Sequence, residues 1–360
     1  MSQQPTQPPE ALLKGFESLQ PGTYTPPDSG SSTISYSCTP PSDHVPGSAI
    51  LVLLHGWPQT RYMWRYAIPL LSGEKRYTVF VPDLPGYGYS TLPQSTSPAA
   101  ASRELGARSA HDRVSVGYAV LSAVRAAYKE AEPSEMQIVL ITHDRGARVA
   151  QRLITSSSSS SSSSPSVAQS LNMRILGAII MDIAPYAAQW AAHGADPRNS
   201  VGYWHWSFLP SGLSVNMVRA YGGTRFCREI LAAAVSGSSD KARESFLADG
   251  ALEHYAACYD REEVIRGAAA DYAAGAAEDW DAQREDLREG RRVQVPVRVL
   301  HCERLQKMHG GDMEAVWRPW VAPGVKLDVR LVPDVGHYLP EEAPDEVNRH
   351  ILEFLEELGV

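Results

Sequence analysis

The stretch around Asp144 restricts the chain most. An apolar run, Gln137-Ile138-Val139-Leu140-Ile141, passes through Thr142-His143-Asp144-Arg145-Gly146 into Val149, Ala150, Leu153 and Ile154, which recur at helical spacing. A buried strand entering a helix through so short a turn, with Gly146 two residues past the centre, predicts a strained elbow. Such a turn lifts its central side chain into a pocket and aims the helix N-terminus at it. The central residue is Asp144. A carboxylate is ionised at neutral pH and needs no base to activate it. It therefore suits attack on a saturated carbon better than acyl transfer. His143 reads as a support of the elbow rather than a reacting group.

The rest of the chain supplies a frame for that turn. Ile34–Cys38 and the apolar Ile50–Leu54 predict strands, the second running into the turn His55-Gly56-Trp57-Pro58. A helix carrying Trp64, Ile68 and Leu71 follows, then a strand over Tyr77–Val81 that ends in Pro82-Asp83-Leu84-Pro85-Gly86. A helix over about Asp112–Tyr128 leads to the elbow strand, and Ile175–Met181 continues the sheet to Asp182. Val297–Leu300 and Lys326–Val332 complete it, and a closing helix carries Val347, Ile351, Phe354, Leu355 and Leu358 on one face. Apolar strands alternating with helices predict an α/β protein: a mostly parallel sheet with helices on both faces. Active groups gather at the carboxyl ends of such strands, where all these turns lie.

Four segments follow from the pattern: a loosely held arm over residues 1–20, a first core part over 21–185, a cap over 186–291 and a second core part over 292–360. The cap is Ala-rich, helix-prone, scattered with Tyr and Trp, and inserted between two strands. Nine serines, Ser156–Ser164, read as a low-complexity surface insertion without chemistry.

Composition excludes several function classes. A formal net charge of −8 and no long basic run argue against a nucleic-acid partner. No apolar stretch is long enough for a membrane span, and Met1–Pro9 is too polar for a signal core. Cys38, Cys227, Cys258 and Cys302 have no metal-ligand spacing and read as reduced thiols of a cytoplasmic enzyme. No metal site is expected.

Four motifs make the pattern recognisable: His55-Gly56-Trp57-Pro58-Gln59, His143-Asp144-Arg145-Gly146-Ala147-Arg148, Tyr203-Trp204-His205-Trp206 and Asp334-Val335-Gly336-His337. After residue 20 the chain resembles the α/β-hydrolase superfamily, and within it most resembles the fluoroacetate (haloacetate) dehalogenases. The first and last motifs are shared with epoxide hydrolases and haloalkane dehalogenases; the middle two are more discriminating. The resemblance implies an α/β-hydrolase fold with an inserted helical cap. It implies Asp144 as nucleophile, His337 as base and Asp182 as its orienting acid. It further implies Arg145 and Arg148 as carboxylate clamps, with His205, Trp206 and Tyr272 around the departing halide.

The chemistry is consistent with those roles. Asp144 would displace halide and form an ester, which water activated by His337 would hydrolyse. The backbone N–H groups of Trp57 and Arg145 lie in the two turns where an oxyanion hole is normally built. Asp182 at a strand end is the best-placed acid; Glu303 and Asp312, after the Val297–Leu300 strand, are the alternatives. Arg145 and Arg148 both fall on the first turn of the elbow helix, and two guanidiniums there suit a small carboxylate. Fluoride departs poorly, so an imidazole, an indole and a phenol donor aimed at it would help.

The expected partners are a haloacid or epoxide substrate and water, with no organic cofactor, because water is the co-substrate. A homodimer is compatible with the sequence. An epoxide hydrolase would use the same Asp-His-Asp set with two cap tyrosines, for which Tyr203, Tyr221, Tyr255, Tyr259 and Tyr272 are candidates. A non-catalytic ligand-binding protein on this fold is a third reading. Three features depart from the family pattern: Thr142, where the crowded elbow normally carries glycine, the segment Cys302–Met313 with Lys307 and His309-Gly310-Gly311, and the serine run so close behind the elbow helix.

Overall fold

A computed structural model describes residues 13–26, 32–73, 76–92, 110–156 and 165–360. The strands are β1 (Gln20–Tyr24), β2 (Ile34–Cys38), β3 (Ile50–Leu54), β4 (Thr78–Pro82), β5 (Met136–His143), β6 (Met173–Met181), β7 (Val297–His301) and β8 (Leu327–Leu331). They form one sheet in the order β1-β2-β4-β3-β5-β6-β7-β8. The β1–β2 and β2–β4 pairs are antiparallel and all others parallel. Every residue of β3, β4 and β7 is buried, as expected of parallel strands covered on both faces.

Register brings the strand ends together. Leu54 lies opposite Thr142, His143 opposite Met181, and Met181 opposite Leu300. The residues that follow (His55 to Trp57, Asp144, Asp182 and Cys302) therefore emerge along one edge. The elbow helix, Asp144–Ser156, starts directly from β5. The C-terminal helix, Pro344–Leu358, buries Val347, Ile351, Phe354 and Leu355 and packs against β6, where Gly177 faces Phe354 and Leu358.

Between β6 and β7 the described chain is helical from Tyr186–Ala195 to Glu278–Arg288. This region caps the sheet's carboxyl edge, giving an α/β-hydrolase fold with an inserted helical cap.

Three local expectations differ from what is observed. β1 had no strand pattern in Gln-Pro-Gly-Thr-Tyr and owes its extended form to pairing with β2. The single helix expected around Trp64 is two pieces, a 3₁₀ turn at Arg61–Trp64 and a short helix at Ile68–Ser72 with Pro69 in its first turn. In the N-terminal arm, Leu13, Phe16 and Leu19 are buried, while residues 1–12 lie outside the described residues. Ser157–Ser164 also lie outside them. Among the described residues no helix is long and apolar enough to cross a membrane. All four cysteines are buried and unpaired to one another.

Candidate active site

Asp144 occupies the tip of the β5–helix turn with φ of 44°, a conformation rare outside glycine but commoner for Asp. Two glycines make room for it. A Cβ on Gly56 would come within 2.5 Å of the Asp144 Cβ, and one on Gly146 within 2.6 Å of the Leu54 Cβ and the His55 carbonyl. Gly146 N–H donates to that same carbonyl at 2.9 Å, pinning the two turns together. Thr142 is accommodated without glycine: it is fully buried and its hydroxyl donates to the Ile179 carbonyl of β6 at 2.7 Å.

The Trp57 N–H donates to Oδ2 of Asp144 at 3.0 Å. The Arg145 N–H, in the first turn of the elbow helix, has no partner within that helix. On the other side, Nε2 of His337 stands 4.0 Å from Oδ1 of Asp144, too far for a direct hydrogen bond. Nδ1 of His337 lies 2.7 Å from Oδ2 of Asp182. Asp182, at the end of β6, is itself fixed by the Cys302 N–H at 2.8 Å and the Cys302 thiol at 3.5 Å. Of the alternative acids, Glu303 is exposed and Asp312 caps the helix Met313–Trp317. His143 is fully buried, with Nε2 2.7 Å from the His337 carbonyl, so it braces the loop that carries His337.

Charge and burial act against each other here. Burial raises the Asp144 carboxyl, but His337, His143, Arg145 and Arg148 outweigh it and hold the group below the usual carboxylate value. For Asp182 burial again acts upward and is overcome by His337 and Cys302. Burial lowers His337, yet its hydrogen bond to Asp182 and the charges of Asp182 and Asp144 raise it above 6.5.

The two arginines after Asp144 have different surroundings. Arg145 donates from Nε to Oδ2 of Asp271 at 2.8 Å, and from Nη2 to Oδ1 at 2.9 Å and to the Asp271 carbonyl at 2.8 Å. Its guanidinium lies 4.2 Å above the Tyr272 ring and is absent from the wall of the cavity. Arg148 lines the cavity with Asp144, Asp182 and His337. It is 1% exposed and, among the described residues, donates only from Nη1 to the Ala184 carbonyl at 3.1 Å and leaves Nε unpartnered. Among the described residues no carboxylate pairs with it. Tyr186 and Trp206 lie under its guanidinium at 4.1 and 4.8 Å, and burial pushes its pKa down to about 10.

A box of rings closes the site above Asp144. His205 stacks on Trp57 at 5.0 Å, and Tyr272 stands edge-on to Trp57, His205 and Trp206 at 5.6, 5.7 and 6.1 Å. His205, Trp206 and Tyr272 all line the cavity, whose volume is about 750 Å³. Burial pushes His205 down to about 3, so its imidazole is neutral. Among the other cap tyrosines, Tyr259 accepts from the Trp57 indole at 3.0 Å and Tyr255 donates to Glu341 at 2.7 Å, both away from the cavity. Tyr203 and Tyr221 line it.

Sequence reasoning missed Asp271, a lone acid in an Ala-rich helix, and Gln189. Gln189 lies in the same wall as Arg148, held by His193 at 3.0 Å and by His309 at 3.3 Å. The unusual segment Cys302–Met313 therefore buttresses the Arg148 side of the cavity, through His309, and the acid Asp182, through Cys302. No group of His, Cys, Asp and Glu that could hold a metal ion occurs among the described residues.

Comparison with known proteins agrees with this architecture. A fluoroacetate dehalogenase from Burkholderia sp is 27% identical over 308 residues, covering 85% of this chain and 86% of that one. A soluble epoxide hydrolase from Corynebacterium sp. (strain C12) is 44% identical over 70 residues, 18% of this chain and 24% of the relative. Among solved structures, a protein from Nostoc sp PCC 7120 assigned to the α/β hydrolases superposes with TM-score 0.71 at 27% identity, over 94% of this chain and 99% of that one. A protein from Pseudomonas aeruginosa provisionally classed as an epoxide hydrolase gives 0.73 at 25%, over 94% and 96%. Residues 51–350 match the alpha/beta hydrolase family. The chain belongs to that family, and is a hydrolase related to both the fluoroacetate dehalogenases and the epoxide hydrolases.

Proposed function

We propose that this hydrolase removes halide from small 2-haloacids, through an ester formed on Asp144. The observation that carries the reading is Arg148: a buried guanidinium without a carboxylate partner, in the wall of the cavity that Asp144 enters. A buried cation left unpaired is costly, and a substrate carboxylate is its natural complement. Arg145, already bound to Asp271, holds the cap against the elbow rather than gripping substrate.

In this reading Oδ1 of Asp144 attacks the carbon bearing halogen, and halide leaves with the bonding pair toward His205, Trp206 and Tyr272. Oδ2, which accepts from Trp57 N–H, becomes the ester carbonyl. His337, aligned by Asp182, then takes a proton from water, and the hydroxide adds to the ester carbonyl carbon. The oxyanion forms on Oδ2, facing the N–H groups of Trp57 and Arg145. Cleavage of the bond between that carbon and Oδ1 releases the 2-hydroxy acid and restores Asp144. The gap of 4.0 Å between His337 and Asp144 leaves the imidazole free to meet a water rather than the carboxylate.

An epoxide hydrolase is the second reading. It is favoured by Tyr203 and Tyr272, which line the same cavity and whose hydroxyls make no protein hydrogen bond among the described residues. The test is halide release from fluoroacetate and chloroacetate, run beside diol formation from styrene oxide. Halide without diol upholds the haloacid reading. Diol without halide replaces it with the second.

A further inference from the structure

The cavity is far larger than a haloacetate needs. At about 750 Å³ it falls in the range that holds drug-sized ligands, roughly 300–1,000 Å³. Asp144, Arg148 and His337 stand together at one end; Glu229 and Arg304 also line the cavity. From that end the wall continues outward on apolar side chains. Behind that wall Tyr259 links its inner and outer parts, meeting Trp57 edge-on at 6.4 Å and stacking on Phe226 at 5.8 Å. Phe226 in turn meets Trp204 at 6.2 Å and Phe208 at 6.3 Å. Val218 and Ile230 complete this outer wall.

Exposure rises along the same path. Val218 and Phe226 are buried, Ile230 and Phe208 are half-buried, and Trp204 and Met217 at the rim are 44% and 55% exposed. Large apolar side chains left in solvent at the mouth of a cavity mark a surface that a ligand covers. The charges nearby do not call for a second anion. Glu229 is already engaged by Arg225 at 2.9 Å and by Tyr221, and Arg304 lies over the Tyr203 ring and donates to the Gly202 carbonyl.

Resting on the haloacid reading of the site, we infer that the substrate carries an unbranched alkyl tail on its α-carbon, seated along this channel. The substrate class is then a medium-chain 2-haloalkanoate: carboxylate on Arg148, α-carbon in line with Asp144, hydrocarbon against Phe226, Val218 and Ile230. Displacement forms the bond from Oδ1 of Asp144 to the α-carbon and breaks the carbon–halogen bond, halide taking the electron pair. Hydrolysis of that ester yields the 2-hydroxyalkanoate, and the proton released from water passes through His337 to solvent.

Bromide release from 2-bromobutanoate, 2-bromohexanoate and 2-bromooctanoate tests the channel. All three react at a secondary carbon, so their intrinsic reactivity is matched; bromoacetate serves as the short reference. In the wild-type enzyme kcat/KM should rise with length, by roughly fourfold for each methylene the channel covers. In Ile230→Trp, which fills the outer channel, the ratio of octanoate to butanoate should fall toward one. That ratio is taken within one preparation, so it does not depend on how much of the variant is folded. Turnover of bromoacetate with a flat or falling series overturns the channel and leaves the haloacid reading intact. A rising series whose ratio survives in Ile230→Trp overturns this seat for the tail. No bromide from any of the four acids overturns the haloacid reading and the inference with it.

Discussion

Asp271, on the cap helix Glu262–Ala276, holds Arg145, on the elbow helix, by accepting hydrogen bonds of 2.8 and 2.9 Å on its carboxylate and a third on its carbonyl oxygen. The same carboxylate pairs with Arg113 and accepts from Tyr87 at 2.6 Å. One cap residue thus anchors three core side chains, one of them Arg145 next to Asp144. The consequence reaches the site: of the two guanidiniums after Asp144, only that of Arg148 is open to the cavity.

Asp271→Asn should destabilise the protein by roughly 3 kcal/mol, because it leaves the buried Arg145 guanidinium without its paired carboxylate, while Arg113 keeps Asp279. Equilibrium urea unfolding measures this. A loss below about 1 kcal/mol would mean that Arg145 finds water or another acid.

Arg148→Ala should raise KM for haloacids about a hundredfold, the usual scale for deleting one side of a buried charge contact. Neutral alkyl halides should be affected far less. An equal effect on both substrate types would show that Arg148 shapes the cavity but does not bind the carboxylate.

His337→Gln should stop the reaction at the ester. The intact protein would then gain the mass of the substrate less halide, on the peptide containing Asp144. An unmodified protein that still binds substrate would show that His337 is also needed for the first step, or that the first step is different.

The pH dependence follows from the neighbours of His337. As a base it must be neutral; in the free enzyme Asp182 and Asp144 raise its pKa above 6.5, and ester hydrolysis is lost as pH falls through the value His337 keeps in the ester. Forming the ester removes the Asp144 charge. The acidic limb of ester hydrolysis should therefore lie below the His337 pKa that NMR titration finds in the free enzyme. Coincident values would mean that Asp144 contributes nothing to that shift.

Much of this was legible in the sequence, for a physical reason. Parallel strands buried on both faces leave near-continuous apolar runs; β3, β5 and β6 were visible as such, and β7 as a shorter run broken by Arg298. The glycines of the two turns were visible too, since close backbone approach admits nothing larger. The partner of Arg145 was not: Asp271 lies 126 residues away, and its contact depends on how a cap helix docks. Thr142 looked misplaced because local sequence cannot reveal the Ile179 carbonyl that receives its hydroxyl. β1 had no periodicity, being held by its neighbour. The extent of the cavity is likewise a product of cap packing, where aromatic residues spread over several helices converge on one wall.

The central claim is that a carboxylate oxygen of Asp144, not water, attacks the substrate carbon. Its most direct test is a single turnover of chloroacetate in H₂¹⁸O with enzyme in excess, followed by mass spectrometry of glycolate and of the Asp144 peptide. The account expects the glycolate to leave unlabelled, carrying an oxygen from Asp144, and ¹⁸O to appear in the peptide. Labelled glycolate with an unlabelled peptide would contradict it, because water would then have displaced the halide itself.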